Sequence, residues 1–544
     1  MSSVIKIEEC GYQQSGATLA ILGFDPSAPP AAFLPHGTDH SSYLLCKSIE
    51  GSGEFDSIDY FEDDTPPGLD NTIYQEYFSP RPVYTLFKSI NHYEAIYLPK
   101  SILRWSVYGL RSQRDLTPII CEVGTTHHPN LWRNLLYAGL SGTIRSTDGF
   151  IFKSERTRLI FKSIWMDCAE RFNQWPEFPY NTVIPNAVDA DSNRRDIILR
   201  NQIRTELFIN DNDLLFLAFS RLAPVSKLDF STLIRIWKKI VNTHKNAFLV
   251  ISGALISSPD YTQYPDILRE IARDAGVAQN VIVLPNPYER WRDAKNALMS
   301  AADVFIHTTR GVEETSPNVI LEAMCHELPI IASNWSGIDS MVIPSENGWL
   351  IDTWATSLGD STRGEFLSRS HQSLSMDIEA SVGIDATQIE NAVNECMDDS
   401  KRRSAGENSF QKASSIFQPD RIALQRIRFI KEVSSSAKLT ETALYATPPP
   451  IIDLNHVAIG LSKYQIQDDT KLIFHEESDD MPSLPSILRN PLGRLFLQEL
   501  KKRKQTTFDS ICISLYEDYD YQESRDIIGK IVITAYSHGL LLIK

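Results

Sequence analysis

The chain has 544 residues, a formal net charge of −16 and a hydrophobic fraction of 42%. This length is enough for two to four domains, and the composition is that of an ordinary globular protein. The acidic balance argues against non-specific nucleic-acid binding, and no apolar run approaches the ~18 residues needed to cross a membrane.

The cysteines and the first residues bear on location. Seven cysteines are spread along the chain, and none forms a Cys-x-x-Cys pair. This spacing argues against a zinc site or a disulfide framework. The first ten residues lack a basic region followed by an apolar core, so no signal peptide is expected. The expected location is the reducing cytoplasm.

The N-terminal third predicts a parallel sheet only from about residue 94. Residues 1–90 show no clear pattern, and the acidic run 59–64 is predicted to be a solvated loop. Beyond them, the chain alternates between short apolar runs and helical patterns, which is typical of a parallel sheet covered by helices. The strands are expected at 95–98, 118–123, 149–152 and 182–184, and the helices at 103–112 and 155–165.

Two adjacent histidines, His127 and His128, follow the predicted strand 118–123. Ligands of parallel sheets bind at the carboxyl ends of the strands. At least one of the two histidines is therefore a candidate site residue, and the alternative is a structural hydrogen bond.

A second strand–helix series follows a polar linker at about 191–195. Its strands are expected at 214–219, 247–251, 280–284, 303–307 and 328–332, with a helix at 230–243. Arg221 and Lys227 come directly after its first strand. Arg221 can contact phosphate through two hydrogen bonds and Lys227 can act as a point charge, so the pair suits a diphosphate. The alternative is a surface loop with incidental charges.

The stretch 311–329 combines a charged loop with a short buried helix. Ser316 is the predicted N-cap and Pro317 the first helical residue. Glu314 precedes the helix and Glu322 lies inside it. Because a helix N-terminus can hold phosphate, two flanking carboxylates predict a nucleotide-sugar site. The alternative is an ordinary strand–loop–helix unit with solvated acids. Helical spacing places four apolar side chains towards the sheet: Val319, Ile320, Ala323 and Met324.

Together these residues resemble the retaining glycosyltransferases of family 4. Glu314 and Glu322 have that family's spacing and are followed by Ala-Met and a buried strand, and Arg221 and Lys227 match its Arg-Leu…Lys segment. The resemblance covers about 94–432. Further similar segments lie at 183–189, 302–306, 347–350 and 419–428.

The resemblance implies a GT-B fold, an α/β architecture in which two Rossmann-like domains face each other across a cleft. Residues 1–190 would form the acceptor-side domain, with 1–90 atypical, and 191–417 the donor domain. Residues 418–433 would be a closing helix that crosses back to the first domain. Residues 353–382 are polar and irregular, which predicts an insertion or surface loop.

Residues 434–544 are predicted to be a linker and an accessory module. A boundary is expected at the serines 434–436 and at the proline-rich run 447–450. Helical patterns at 493–502, 507–515 and 523–537, followed by an apolar strand at 539–543, are typical of a small winged-helix-like module. Such a module could capture a peptide, or serve packing or homodimerisation. The basic run 501–504 is most simply a solvated helix end, and peripheral membrane contact is the alternative.

The resemblance also implies an activity and residue roles. The enzyme would move a sugar from a nucleotide-diphosphate sugar, with UDP expected, to a saccharide, natural-product or peptide hydroxyl, without a metal or cofactor. Arg221 and Lys227 would bind the diphosphate, Glu322 the ribose, and Glu314 the sugar. His127 or His128 would reach the sugar across the cleft. Other donor-binding residues would be Ser316, Asn318, Val319 and Gly253.

The chain departs from the family's pattern in three places, which concern mainly the acceptor side. Residues 1–90 show no counterpart of the family's glycine-rich first strand and loop, Ala187 replaces a common glycine, and Pro317 has no N–H to donate. The alternative function is a non-catalytic scaffold that binds a partner through the fold and the C-terminal module.

Overall fold

The chain forms two compact units, Met1–Ile451 and Ile452–Lys544. In the first, the computed structural model describes residues 17–24, 37–62, 81–82, 93–99, 117–124, 129–140, 142–173, 175–224, 227–255, 262–286, 291–312, 314–356 and 370–439. In the second, it describes 469, 471–474, 491–515, 528–529, 531–532, 535 and 541–543. The predicted helix 103–112 lies outside these residues. Across the described residues, no helix is long and apolar enough to span a membrane.

The N-terminal part of the first unit is a seven-stranded parallel sheet, in the order β3-β2-β1-β4-β5-β6-β7. The strands are β1 (Thr18–Phe24), β2 (Ser57–Glu62), β3 (Arg81–Pro82), β4 (Ala95–Leu98), β5 (Ile119–Val123), β6 (Gly149–Phe152) and β7 (Tyr180–Val183). The accompanying helices are α1 (Gly37–Gly51), α2 (Pro129–Leu140) and α3 (Glu155–Arg171). All four predicted strands are therefore confirmed, with shifts of one or two residues.

The first 90 residues are more regular than predicted, because β1 lies near the centre of this sheet. The expected solvated loop at 59–64 is wrong for residues 59–62, which belong to β2. Phe61 is fully buried there, and the Asp59 carboxylate accepts a hydrogen bond from the Tyr93 hydroxyl at 2.5 Å. Burial of the aromatic residues decides the local structure, and a hydrogen bond satisfies the acid within the fold.

The second part is a six-stranded parallel sheet in the order β10-β9-β8-β11-β12-β13. Its strands are β8 (Leu214–Phe219), β9 (Ala247–Ala254), β10 (Val281–Asn286), β11 (Val304–His307), β12 (Ile330–Ser333) and β13 (Gly348–Ile351). Its helices are α4 (Ile197–Glu206), α5 (Phe230–Thr243), α6 (Tyr264–Asp274), α7 (Trp291–Ala301) and α8 (Asn318–Cys325). The predicted second Rossmann-like unit is confirmed, and with it the GT-B architecture.

The predicted insertion 353–382 is partly regular. Strand β14 (Thr353–Ala355) pairs in antiparallel fashion with β15 (Val382–Ile384), and helix α9 (His371–Ala380) precedes β15. Arg310 donates to the Val382 carbonyl at 3.0 Å, which ties the strand pair to the loop after β11. The expectation of an irregular surface loop is therefore wrong for these segments. These strands bury little surface, so their polar sequence lacks the apolar pattern from which a strand is predicted.

Three helices complete the first unit: α10 (Ala386–Cys396), α11 (Asp399–Ile416) and α12 (Pro419–Leu439). Helix α11 was not predicted. Its buried residues are small ones, Ala405, Gly406, Ser409 and Ala413, so it lacks the large apolar residues that reveal a helical period.

Helix α12 is the closing helix and extends past its predicted end at 433. Ser434 is buried within it and donates to the Glu94 carbonyl at 3.0 Å, so the serines 434–436 do not mark the expected boundary. The two units divide after Ile451, next to the run 447–450 that was also expected to mark it. The apolar face of α12 packs on the N-terminal sheet through Ile422, Ile427, Ile430 and Val433.

The chain passes twice between the two sheets, before β8 and again before α12, and the two crossings touch. The Val188 N–H donates to the Phe417 carbonyl at 2.8 Å. From α12, the buried Arg426 pairs with Glu122 of β5 and donates to the Pro185 carbonyl at 3.2 Å. Lys153 also pairs with Glu122. Side-chain and backbone bonds therefore join both crossings to the first sheet.

The second unit contains an antiparallel sheet in the order β17-β16-β18, formed by β16 (Lys471–Phe474), β17 (Gln505–Thr507) and β18 (Leu541–Ile543). Helices α13 (Pro491–Arg503) and α14 (Phe508–Ser514) belong to it, and residues 528–529, 531–532 and 535 are also helical. The predicted helices and final strand are present, whereas β16 and β17 were not predicted. The winged-helix-like assignment stays a prediction. Its core contains Leu472, Phe496, Leu500, Ile511 and Val532.

Candidate functional site

The charged residues of the second sheet meet where its strand order reverses. Strand β8 lies between β9 and β11, so the chain leaves β8 in one direction along the sheet and β11 in the other. In open parallel sheets, such a switch point leaves a crevice at the carboxyl ends of the strands. Arg221 and Lys227 follow β8, and the loop 308–317 follows β11. The sequence therefore predicted correctly which loops meet.

Glu314 lies at the centre of this crevice and is held by two basic groups. Its Oε1 pairs with Lys227 Nζ, and its Oε2 lies 3.3 Å from His307 Nε2. Glu314 is 6% exposed and His307 is fully buried. Burial raises the pKa of the Glu314 carboxyl, but Lys227 and His307 outweigh burial and hold the pKa well below its ordinary value. Glu314 is therefore a carboxylate at neutral pH.

His307 is a residue that the sequence reasoning missed. It is the last residue of β11, and its ring stacks on that of Phe305 with centroids 6.1 Å apart. The available signal was its position at the end of a predicted strand, which is the same criterion that selected His127 and His128. Those two histidines lie outside the described residues, and their role stays a prediction.

Hydrogen bonds join the loops after β8 and β11 into one unit. Thr309 donates through Oγ1 to the Lys227 carbonyl at 3.0 Å and through its N–H to Ser333 Oγ at 2.8 Å. Gly311 donates to Thr309 Oγ1 at 2.9 Å, and its carbonyl accepts from Trp335 Nε1 at 3.0 Å. The loop that carries Glu314 is therefore fixed to the segment that carries Lys227.

Helix α8 begins one residue later than predicted. Its N-cap is Pro317, with φ −68° and ψ 114°, and Ser316 is not the cap. Pro317 suits this position because its fixed φ is compatible with an extended residue and it has no N–H to satisfy. Ser316 is 7% exposed, and its Oγ has no hydrogen-bond partner among the described residues. Buried hydroxyls are normally paired, so this one indicates a binding position.

Asn186 fixes the backbone at the start of α8. Its Nδ2 donates to the Ser316 carbonyl at 2.9 Å, and its side chain is buried. Asn318 and Val319 form the first turn of the helix and are half-buried. The first N–H groups of a helix have no intrahelical acceptor and favour an anion. Ser316 and the start of α8 thus follow directly on Glu314, which pairs with Lys227.

Glu322 lies in the second turn of α8 and pairs with a lysine that the sequence reasoning missed. Its Oε1 contacts Nζ of Lys295, which comes from α7. Lys295 is 3% exposed and Glu322 9%. Lys295 lies on the apolar stripe of its helix with Leu298, Met299 and Ala302, which was the signal in the sequence. A lysine on such a stripe requires a partner, and the partner is 27 residues away.

Gly253 has a structural role in the crevice. Its φ is +154°, and a Cβ there would lie 1.5 Å from the Ser220 carbonyl oxygen. Only glycine lets the end of β9 approach the segment after β8 this closely. Gly253 thereby positions the backbone just before the half-buried Arg221. The predicted contact between Gly253 and a donor stays a prediction.

The N-terminal domain reaches the same crevice through the end of β6. The Gly337 N–H donates to the Thr315 carbonyl at 3.1 Å, and a Cβ on Gly337 would lie 2.4 Å from Ser154 Cβ. Arg156 donates to Asn334 Oδ1 at 2.7 Å. The segment after β6 therefore lies against the loop that leads to α8.

The described residues contain no group of three or more histidine, cysteine or acidic side chains arranged to hold a metal ion. Six of the seven cysteines, all but Cys10, belong to the described part of the chain, and these six are buried and form no disulfide bonds.

Comparison with known proteins adds a family and a fold. Residues 200–360 match the family described as glycosyl transferases group 1. No curated protein sequence matches the chain significantly. Two solved structures show the fold at low identity. Sucrose-phosphate synthase from Thermosynechococcus elongatus is 16% identical, with 77% of this chain and 100% of that chain covered and a TM-score of 0.52.

A glycosyltransferase from Rickettsia africae is 12% identical, with 77% of this chain and 98% of that chain covered and a TM-score of 0.51. The Anabaena protein HepE, solved in complex with UDP, is 17% identical over 76% of this chain and 100% of that chain, with a TM-score of 0.49. The family match spans β8 to β13, which are the strands of the second sheet and include the two that flank the crevice, β8 and β11.

Proposed function

Since the chain is a glycosyltransferase with a group 1 domain at residues 200–360, we propose that it transfers a sugar from a UDP-sugar to an acceptor hydroxyl, without a metal ion and with retention of anomeric configuration. The observation that carries this proposal is the crevice between β8 and β11. There, the buried Glu314 carboxylate pairs with Lys227 in the loop that leads to helix α8, and the Ser316 hydroxyl in the same loop has no partner among the described residues. Retention is expected from the resemblance to family 4.

The diphosphate would lie between Arg221, Lys227 and the start of α8. When the bond between the anomeric carbon and the phosphate oxygen breaks, negative charge grows on the phosphate. Fixed cations and helix N–H groups stabilise that charge without needing to reorganise. The Ser316 hydroxyl would donate to a phosphate oxygen, which would satisfy a buried polar group that has no partner among the described residues.

Glu314 would bind hydroxyl groups of the transferred sugar. It is ionised because Lys227 and His307 lower its pKa, and an ionised carboxylate is the stronger hydrogen-bond acceptor. The acceptor oxygen would form the new bond on the face from which the phosphate leaves, and its proton would pass to the departing diphosphate. Lys227 contacts Glu314 and would also contact the phosphate, so it would link the sugar to the leaving group.

Glu322 would accept hydrogen bonds from the ribose hydroxyls, one helical turn beyond the phosphate position. The acceptor would be a saccharide, a natural product or a peptide, and it would enter from the side of the N-terminal domain, where Ser154 lies against Gly337.

The test is the release of UDP from UDP-sugars, and of the corresponding nucleotides from GDP-, ADP- and CMP-sugars. We expect UDP release by the wild type, and a loss in kcat of about 10²–10³-fold in Glu314→Gln and Lys227→Met, since each removes a group that stabilises developing charge or orients the sugar. Lys239→Met is the matched control. Lys239 is an exposed lysine of the same domain, and its removal should leave kcat unchanged.

Circular dichroism should give the same spectrum for all variants. Turnover of UDP-sugars that survives in both Glu314→Gln and Lys227→Met would overturn the assignment of the crevice. A wild type that neither binds nor turns over any sugar nucleotide would overturn the function itself.

A further inference from the structure

We propose that Lys295 is a positioning residue that determines recognition of the ribose. It would hold Glu322 as an ionised acceptor for the ribose hydroxyls, so that selectivity for a ribonucleotide over a deoxyribonucleotide depends on Lys295. This inference rests on the proposed function, because it requires a nucleotide in the crevice.

The pair is built from two adjacent helices of one layer. Helix α7 precedes β11 and helix α8 follows it, and both contribute to the same apolar cluster, which includes Leu298, Phe305 and Met324. Lys295 lies in this layer, and its side chain is 4% exposed. The surrounding residues give an ammonium group little solvation, so the Glu322 carboxylate provides its counter-charge.

The two members of the pair are not equally deep. The Glu322 side chain is 11% exposed, against 4% for Lys295. Glu322 is therefore the member of the pair that solvent reaches more easily. Glu322 lies on the helix whose first turn borders the phosphate position, so its carboxylate is the member of the pair nearer to a ligand.

A purely structural role explains the pair poorly. Replacing a buried ion pair by apolar side chains of similar size is often neutral or stabilising, because burial costs each charge its hydration. Leu298 and Met299 of the same helix belong to the apolar cluster, so an apolar pair would fit this layer. A charged pair at the edge of the crevice instead supplies a carboxylate that is ionised and held in one orientation.

Ribose recognition follows from these two properties. A carboxylate makes hydrogen bonds with hydroxyl groups that are stronger than those of a neutral carboxyl group. Without Lys295, the buried Glu322 carboxylate would lose its counter-charge and the contact that holds it in one orientation. The variant would lose the affinity that comes from the hydroxyl groups contacted by Glu322, and binding of the phosphate and the base would be unaffected.

The experiment measures the binding of UDP, 2′-deoxy-UDP and 3′-deoxy-UDP by calorimetry. We expect the wild type to bind UDP about ten- to a hundred-fold more tightly than at least one deoxy analogue, the usual effect of one hydrogen bond to a charged group. In Lys295→Met this ratio should fall below about three-fold, mainly through weaker binding of UDP. Lys295→Arg, which keeps the charge, should restore most of it.

Two further variants exclude general damage. Lys295→Gln removes the charge but can still donate a hydrogen bond to Glu322, so it replaces Lys295→Met in the experiment if that variant fails to fold. The same loss of selectivity for UDP over its deoxy analogues is expected. Lys153→Met removes a lysine that also pairs with a buried glutamate, at the domain crossing, and should keep the wild-type ratio. With saturating UDP-sugar, kcat of Lys295→Gln should stay within about three-fold of wild type, because the change acts on nucleotide binding.

The outcomes separate the two proposals. A wild type that binds none of the three nucleotides contradicts the proposed function. A wild type that binds UDP selectively, and whose Lys295→Met and Lys295→Gln variants keep that selectivity or lose affinity for all three nucleotides equally, overturns the role of Lys295 and leaves the proposed function standing.

Discussion

Arg426 offers a direct test of how the closing helix is held to the first sheet. Its side chain is 1% exposed and that of Glu122 is 2% exposed, and Arg426 also donates to the Pro185 carbonyl. Arg426→Met leaves Glu122 buried with Lys153 as its remaining cation. Removing one partner of a buried pair costs about 3 kcal/mol, and losing the bond to Pro185 adds about 1 kcal/mol. We therefore expect the free energy of unfolding to fall by about 4 kcal/mol.

The assay is urea denaturation followed by far-UV circular dichroism. Lys431→Met is the matched control, because Lys431 lies on the same helix and pairs with Glu54 where both side chains are exposed. Solvent screens such a pair, so little change is expected. If Arg426→Met and Lys431→Met shifted the urea midpoint equally, the reasoning about the buried pair would be refuted.

Two further predictions concern a backbone position and the dependence on pH. Gly253→Ala should destabilise the protein by about 4 kcal/mol or more, because the new Cβ would collide with the Ser220 carbonyl. Gly51→Ala is the control and should leave the stability unchanged, because a Cβ at Gly51 meets nothing within 4 Å. Similar thermal unfolding of the two variants would contradict this prediction. Burial raises the pKa of Glu122, but the cations beside it outweigh burial and lower it from 4.5 to about 2. Since the pKa of Glu122 is lower in the folded than in the unfolded protein, the stabilisation is present above pH 4.5 and is lost as the pH falls towards 2. Over that pH range, Glu122→Gln should therefore lose less unfolding free energy than wild type. Equal losses in the two proteins would contradict the assignment.

The donor half of the fold could be predicted because its strands are short apolar runs separated by amphipathic helices. Leu214–Phe219 and Ile330–Ser333 are buried and have no competing pattern. The first 62 residues could not be predicted in the same way. Strand Ser57–Glu62 carries two acids, and its buried aromatic residues were read as part of a charged loop. Its partner β1 supplies the pairing that makes it a strand, and pairing between distant segments leaves no local signal.

The same limit applies to the site. Arg221, Lys227, Glu314 and Glu322 could be selected from the sequence because each lies beside a strand end or a helix start. Their partners could not, because His307 contacts Glu314 only through the path of the loop, and Lys295 reaches Glu322 from another helix. Sequence shows which charges lie near a strand end, whereas the arrangement of the helices determines which charges form pairs.

The contact between the two chain crossings defines how the domains can move. The Val188–Phe417 and Arg426–Pro185 bonds join the two adjacent crossings. We expect such a connection to permit rotation of one domain against the other about one axis and to resist sliding between them. Asn186 lies between Pro185 and Val188, and it holds the Ser316 carbonyl. Any rotation of one domain against the other therefore turns close to the start of helix α8, so the angle between the domains and the geometry of the phosphate position are mechanically coupled.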